Sequence, residues 1–217
     1  MSASKGGLQG NLGTFKHCAR SGIVGTVSRE RHCQQLDRIL RGTNWLMDAL
    51  RIVRELDLPQ WCIGAGAIRN AVWDHLHGYS VPTPIRDVDV AYFNPANVSV
   101  QRDYEIQQQL VAAFPKLPWE VTNQAGVHLW FEREFGHPLE PLLSVDDAVA
   151  TWPETATAVA VRLRNDGELY VIAPFGLMDL FEMVVRRNPR IVSEATYSKR
   201  IESKKYVERW PHVTVVG

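Results

Sequence analysis

This sequence predicts an α+β fold: a mixed β-sheet flanked by helices, with a helical C-terminal part. Three observations carry that reading. Apolar residues recur three and four apart at Leu46, Leu50 and Val53, and again at Ile68, Val72 and Leu76, which is the helical period. Short runs rich in β-branched and aromatic residues, WCIG, DVDVAYF and WEVTN, fall between the helical stretches and read as strands. Asn165-Asp166-Gly167 joins two further alternating runs, ATAVAVRL and LYVI, which is a strong hairpin signal. The order is helices, a sheet with helices interspersed, a hairpin, then helices, as in α+β or mixed α/β domains.

The first 32 residues differ from the rest. They are rich in Gly, Ser and basic residues and hold one acid, Glu30. Such a composition predicts a flexible N-terminal leader over residues 1–32. A basic, Ser-rich and acid-poor stretch also fits an organelle transit peptide, although no clear amphipathic helix is visible. Residues 33–217 then form a single domain.

From Gln35, the residues Leu36, Ile39 and Leu40 share one side of a helix that Gly42-Thr43 interrupts. Thr43 or Asn44 caps a second helix, which Pro59 stops. WCIG is a short buried strand ending at Gly64, and AIRNAVWDHLHG is a helix closed by Gly78. YSVPTPIR, with two prolines, is a loop. DVDVAYF is a strand, residues 101–114 are a helix, and WEVTN is a third strand. VHLWF reads as a short fourth. Ser144-x-x-Asp147 opens a short helix over 144–150. After the hairpin, Leu177, Leu180, Phe181 and Val184 predict a helix running to the break at 186–189, and a last helix spans 194–209.

Lys+Arg and Asp+Glu are both 24, so the formal net charge is zero. That disfavours a protein living on non-specific phosphate contacts, which needs clustered positive charge. Cys18, Cys33 and Cys62 are odd in number and lack CxxC spacing, against both a disulfide framework and a zinc knuckle. Cys62, inside an apolar run, reads as a small buried hydrophobe. A reducing, cytoplasmic setting is expected. No run of roughly eighteen apolar residues exists, so no membrane span is expected.

Asp87 and Asp89 break the apolar pattern of their strand. Side chains two apart on a strand point to one face, roughly 6–7 Å apart. Left alone there, two carboxylates repel, and burial would force them to share a proton. Divalent cations relieve this, and hard oxygens on a rigid strand suit Mg²⁺ or Mn²⁺, with phosphate oxygens completing the shell. Val88 and Val90 face the core. The bland alternative is an edge strand with both acids in solvent. The turn Gly64-Ala65-Gly66 precedes this strand, between a buried strand and a helix. Such a turn lets backbone N–H groups approach a phosphate at a helix N-terminus.

The succession of strand, glycine turn, helix, loop and acid-x-acid strand resembles the polymerase-beta-like nucleotidyltransferase superfamily. More narrowly, IGAGAIRNAVWDHLHG, DVDVAYFN, WEVTNQAGVH, ATAVAVRL, APFGLMDLF and VVRRNP resemble an uncharacterised nucleotidyltransferase-like family, over the chain from about Leu40 onward. The resemblance implies a third carboxylate on a neighbouring strand, for which Glu120 is the candidate. Glu120 and Thr122 would face the metals, and Trp119 and Val121 the core. The residues between Gly66 and Asp87 outnumber those of the general pattern, because HGYSVPTPI lengthens the connection. Ala65 also stands where the pattern has a second small residue.

The resemblance implies metal-dependent transfer of a nucleoside monophosphate from an NTP, ATP first among them, to a hydroxyl acceptor with release of pyrophosphate. Asp87, Asp89 and Glu120 would be catalytic and metal-binding. Gly64, Ala65, Gly66, Arg69 and Asn70 would bind the nucleotide, with Arg69 and Asn70 either on the phosphates or holding the strand. A small-molecule or protein acceptor is favoured over long nucleic acid by the neutral net charge. The alternatives are an inactive binding protein of the same fold and a DxD nucleotide-sugar glycosyltransferase. Trp73 and Asp74 read as scaffold, and His128 as structural. His75 and His77 do not share a helix face, which makes them poor metal partners. Lys199, Arg200, Lys204 and Lys205 read as a solvated basic helix face, with triphosphate contact as the alternative.

Overall fold

The computed structural model describes residues 26–217. Residues 1–25, most of the expected leader and of the transit-peptide reading, lie outside the described residues. Helix α1 (Thr26–Gly42) starts ahead of Gln35, so the last residues of the expected leader are helical. α2 (Asn44–Glu55) follows at once, because Gly42-Thr43 breaks the chain direction. Thr43 flanks α2, but its hydroxyl donates back to Ile39 O (2.9 Å) rather than capping the new helix.

Strand β1 (Cys62–Gly64) runs into α3 (Gly66–Leu76) through the single residue Ala65. A loop leads to β2 (Val88–Tyr92), which begins one residue after Asp87. α4 (Val100–Ala113) starts at Ser99, whose hydroxyl accepts the Arg102 N–H. β3 (Trp119–Asn123) comes next, and a 3₁₀ turn over Gln124–Gly126 leads into α5 (His128–Phe135). VHLWF is therefore helical and not a fourth strand. Val127 and Phe131 are buried four apart while Leu129 is 65% exposed, which is helical burial.

α6 (Val145–Val149) carries the expected cap, with Ser144 Oγ accepting from Asp147 N (3.1 Å). β4 (Ala160–Leu163) and β5 (Leu169–Ile172) form the expected hairpin, with Gly167 at positive φ. The helix predicted from Leu177 is only one turn, α7 (Met178–Phe181). Met183 then takes φ 55° and the chain enters β6 (Val184–Arg186). The last helix is split at Lys205, which has φ 49° and ψ 49°, into α8 (Glu194–Lys204) and α9 (Tyr206–Arg209). β7 (Thr214–Val216) pairs in parallel with β6.

The main sheet has the order β3-β2-β1-β4-β5. Only the β2–β3 pair is parallel. The sheet's two faces divide the apolar residues by strand alternation. Ile63, Val88, Val90, Trp119, Val121 and Val161 face the main core with α1, α2 and α3. Cys62, Ala91, Phe93, Ala160 and Ile172 face a smaller cluster with α5 and α6. The free edge at β3 is closed by α4 side chains: Val121 N donates to Gln107 Oε1 (3.3 Å) and Asn123 N to Asp103 Oδ2 (3.1 Å). Covering an edge in this way removes a template for strand addition. It also fixes β3 against β2, where the acids stand. Among the described residues no helix is long and apolar enough to cross a membrane.

Candidate active site

Asp87, Asp89 and Glu120 line one open cavity of about 220 Å³. The parallel register sets Asp89 directly beside Glu120, and Asp87 lies two residues back on the same side. Val88, Val90 and Trp119 are buried on the other face, as the alternation required. Burial, then the Asp87 and Glu120 carboxylates, push Asp89 from an ordinary 3.8 up to about 6. Arg200 and Lys204, which line the same cavity, act in the opposite sense.

Ala65 and Gly66 form the adjoining wall. Ala65 has φ 52° and ψ −123°, a conformation that favours glycine. Its N–H donates to Val159 O (3.1 Å), so the amides left for an anion are those of the first turn of α3. A Cβ on Gly66 would stand 3.3 Å from Asp87 Oδ1 and 3.7 Å from Arg69 Nη2, so turn, acid and guanidinium meet at one point. Gly64 is not in the cavity wall. It lets Trp152 close down, because a Cβ there would sit 2.5 Å from the Trp152 ring and 2.7 Å from Ala160 Cβ.

Arg69 does reach the cavity and is 4% exposed. Its Nη1 donates to Thr157 Oγ1 (3.2 Å) and Tyr206 Oη (3.3 Å), and its Nη2 donates to Asn70 Oδ1 (2.8 Å). Its Cζ lies 4.9 Å from the Tyr206 ring centre, 5.4 Å from Trp73 and 5.6 Å from Trp210. All of these partners are neutral, and Arg69 Nε has none. Asn70 does not reach the cavity. It is buried behind Arg69 and accepts from it, which makes it a support for the guanidinium.

Asp74 anchors the long connection that precedes Asp87. Its Oδ2 accepts from Thr83 N (2.7 Å), and its Oδ1 accepts from Thr83 Oγ1 (2.6 Å) and Trp210 Nε1 (2.7 Å). Trp73 is fully buried and donates to Leu180 O (2.8 Å). Asn123 holds the chain after β2, donating to Asn94 O (2.8 Å) and Asn97 O (2.7 Å). His77 holds Trp73 O on Nδ1 (2.8 Å) and accepts from His212 N on Nε2 (3.1 Å), which leaves no nitrogen for a metal. His128 does not line the cavity. Burial pushes the Cys62 thiol far above its ordinary value, so the thiol beside the acid face is inert.

Residues distant in sequence complete the wall. Arg200 and Lys204, one helical turn apart on α8, both line the cavity, whereas Lys199 and Lys205 do not. The basic face was thus only half a solvated one. The four-residue spacing of Arg200 and Lys204 was the available signal; what hid it was that nothing local says where α8 packs. Glu154, fully buried, accepts from Arg200 Nε and from Tyr206 Oη (3.1 Å). Trp152, Pro153 and Thr157 also line the cavity and had no sequence signal, and Gln124, within the WEVTNQAGVH stretch of the resemblance, lines it as well.

The acids and the turn at the start of α3 thus meet at one cavity on the mixed sheet. The chain belongs to the nucleotidyltransferase family, whose sequence profile matches residues 51–215. Its fold is similar to that of a solved structure described as revealing a CCA-adding enzyme head domain: 27% identity, TM-score 0.73, covering 85% of this chain and 95% of that one. It is also similar to a CCA-adding enzyme in complex with ATP, at 13% identity and TM-score 0.48, covering 88% of this chain and 42% of that one. The Thermotoga maritima CCA-adding enzyme complexed with tRNA is similar at 14% identity and TM-score 0.47, covering 88% of this chain and 41% of that one. No curated protein matches the sequence.

Proposed function

We propose that this nucleotidyltransferase moves a nucleoside monophosphate from an NTP, ATP first among them, to a hydroxyl acceptor in a divalent-cation-dependent reaction that releases pyrophosphate. The observation that carries the reading is the convergence of Asp87, Asp89 and Glu120 on the cavity floored by Ala65 and Gly66. Among the described residues no three His, Cys, Asp or Glu side chains enclose an ion by themselves. An open carboxylate set is nevertheless what Mg²⁺ uses at phosphate sites, where one or two carboxylates act with water and substrate oxygens. Burial and the neighbouring carboxylates raise Asp89 even with Arg200 and Lys204 in the same cavity. The residues therefore fit Mg²⁺ or Mn²⁺. Such a cation, when bound, would screen the phosphate oxygens and acidify the acceptor hydroxyl.

The remaining work falls to the chain. The first turn of α3 holds phosphate oxygens through backbone N–H groups. Arg69, with neutral partners only, supplies an uncommitted positive charge beside them. The strand carboxylates fix the direction of attack by their rigid backbone, and one of them accepts the hydroxyl proton. The neutral net charge favours a small-molecule or protein acceptor over long nucleic acid. The likeness to a CCA-adding enzyme head domain supports an RNA 3′ end as a second reading. The glycosyltransferase alternative does not survive the family match.

The test is incubation with each α-labelled NTP and Mg²⁺ or Mn²⁺, against a protein, small-molecule or RNA fraction. Label should move to one fraction only when cation is present. Asp87→Asn with Asp89→Asn should lower transfer by orders of magnitude while the melting temperature stays close to wild type or rises. Full transfer by the double variant would sink the reading.

A further inference from the structure

Lys204 and Arg200 reach the cavity from α8, far along the chain from the glycine turn and the acids. The split at Lys205 produces this placement. A left-handed residue there ends α8 and turns Tyr206 back into the core, where it is 2% exposed. Lys204, the last residue of α8, is left half-buried at the cavity wall.

The two cations are held differently. Arg200 is clamped by Glu154, whose second oxygen, Oε2, is buried without a partner. Its guanidinium is thereby fixed in one orientation at the wall. The Lys204 amine has no hydrogen bond or close ion pair among the described residues. Burial and the neighbouring Arg200 hold it below its ordinary value, while Asp87 works in the opposite sense. Arg69 is a third cation and, like Lys204, has no carboxylate partner among the described residues; it is 4% exposed, with Nε unbonded. Arg69 and Lys204 face the three carboxylates across the same cavity but bond to none of them, so both keep N–H donors free for a phosphate.

We propose that Lys204 and Arg200 form, with Arg69, the seat for the terminal diphosphate of the substrate, the part that leaves as pyrophosphate. This deepens the function proposed above and rests on it. The acids then hold the cation side of the triphosphate, and α8 holds the end away from the acceptor. The site accordingly selects nucleoside triphosphates over diphosphates and monophosphates, because only a triphosphate extends two phosphates beyond the reacting phosphorus. A point charge on a flexible stem follows a departing phosphate, whereas the clamped Arg200 fixes the starting position.

Titration of the protein with inorganic tripolyphosphate in the presence of Mg²⁺ tests the assignment. Wild type should bind tripolyphosphate. Lys204→Gln should weaken it by roughly ten- to a hundred-fold, the effect of one charge-assisted contact. Lys204→Arg should restore most of it. Lys199→Gln, on the same helix but outside the cavity, should match wild type. Arg200→Gln strands the buried Glu154, so Lys204 carries the test. Failure of wild type to bind tripolyphosphate, wild-type affinity in Lys204→Gln, or an equal loss in Lys199→Gln would each overturn the proposal. Asp89→Asn in the same titration separates the two readings. Loss there with none in Lys204→Gln keeps the cation site and removes the α8 seat. Loss in Lys204→Gln with none in Asp89→Asn keeps the anion seat and removes the cation site.

Discussion

Asp89 and Glu120 stand side by side in the parallel register of β2 and β3, on the sheet face turned away from the main core. Burial of Asp89, and then the like charges that rigid strands keep beside it, give the protein a pH-dependent cost. The folded value of Asp89 is raised from 3.8 to about 6, so the folded state binds more protons than the unfolded one between these values. The penalty is absent below about pH 4, grows as pH rises through the window, and is complete above about pH 6. In metal-free buffer Asp89→Asn should be more stable than wild type at about pH 7.5, by at most ~3 kcal/mol. Thermal melts should show the two converging near pH 4, and Mg²⁺ or Mn²⁺ should raise wild type more than the variant. A gap that does not vary with pH would contradict this account.

Ala65 sits where glycine is expected, at φ 52° and ψ −123°. The strain costs about 1–3 kcal/mol, and glycine would return about 0.4–1 kcal/mol of that to the unfolded chain. Ala65→Gly should therefore raise stability by about 1 kcal/mol in urea unfolding, with an unchanged denaturant slope. A less stable Ala65→Gly would mean that the methyl group makes contacts outweighing the strain.

Glu154 is fully buried and joins Arg200 on α8 to Tyr206 on α9. Removing one partner from a buried pair costs about 3–5 kcal/mol, because the other is left uncompensated. Glu154→Ala should lose that amount in chemical denaturation. Glu154→Met with Arg200→Met should recover much of it while weakening tripolyphosphate binding. Equal stability of Glu154→Ala and wild type would show that the pair is not coupled to folding.

The parts of the site that share a local stretch were legible in the sequence. From Gly64 to Glu120 the chain runs through three strands, a glycine turn and two helices whose periods are clean; alternation assigned Val88 and Val90 to the core, and with Glu120 as the candidate third acid it put Trp119 and Val121 there too. The segments after Leu177 were not. β6 and β7 are three residues each and pair across most of the C-terminal region, so neither VVR nor TVV carries its own signal. A positive φ at Met183 and at Lys205 is invisible in residue types that rarely adopt it. VHLWF alternates in type but follows a 3₁₀ turn held by Asn123, whose side chain accepts from Ala125 N (3.2 Å). Asn70 and Arg69 are adjacent, yet one faces the cavity and the other supports it, a difference that only the packing of Tyr206 and Trp210 decides.

Trp152 rests its ring tip over Gly64 and forms part of the cavity wall, while Trp73 and Trp210 are sealed behind Arg69. Indole emission depends on nearby charge and water, so filling the cavity changes the surroundings of one indole directly and of the others only through the guanidinium between them. The unlabelled protein thus contains an optical sensor of its own occupancy. Trp152→Phe would tell which part of the signal originates in the wall itself.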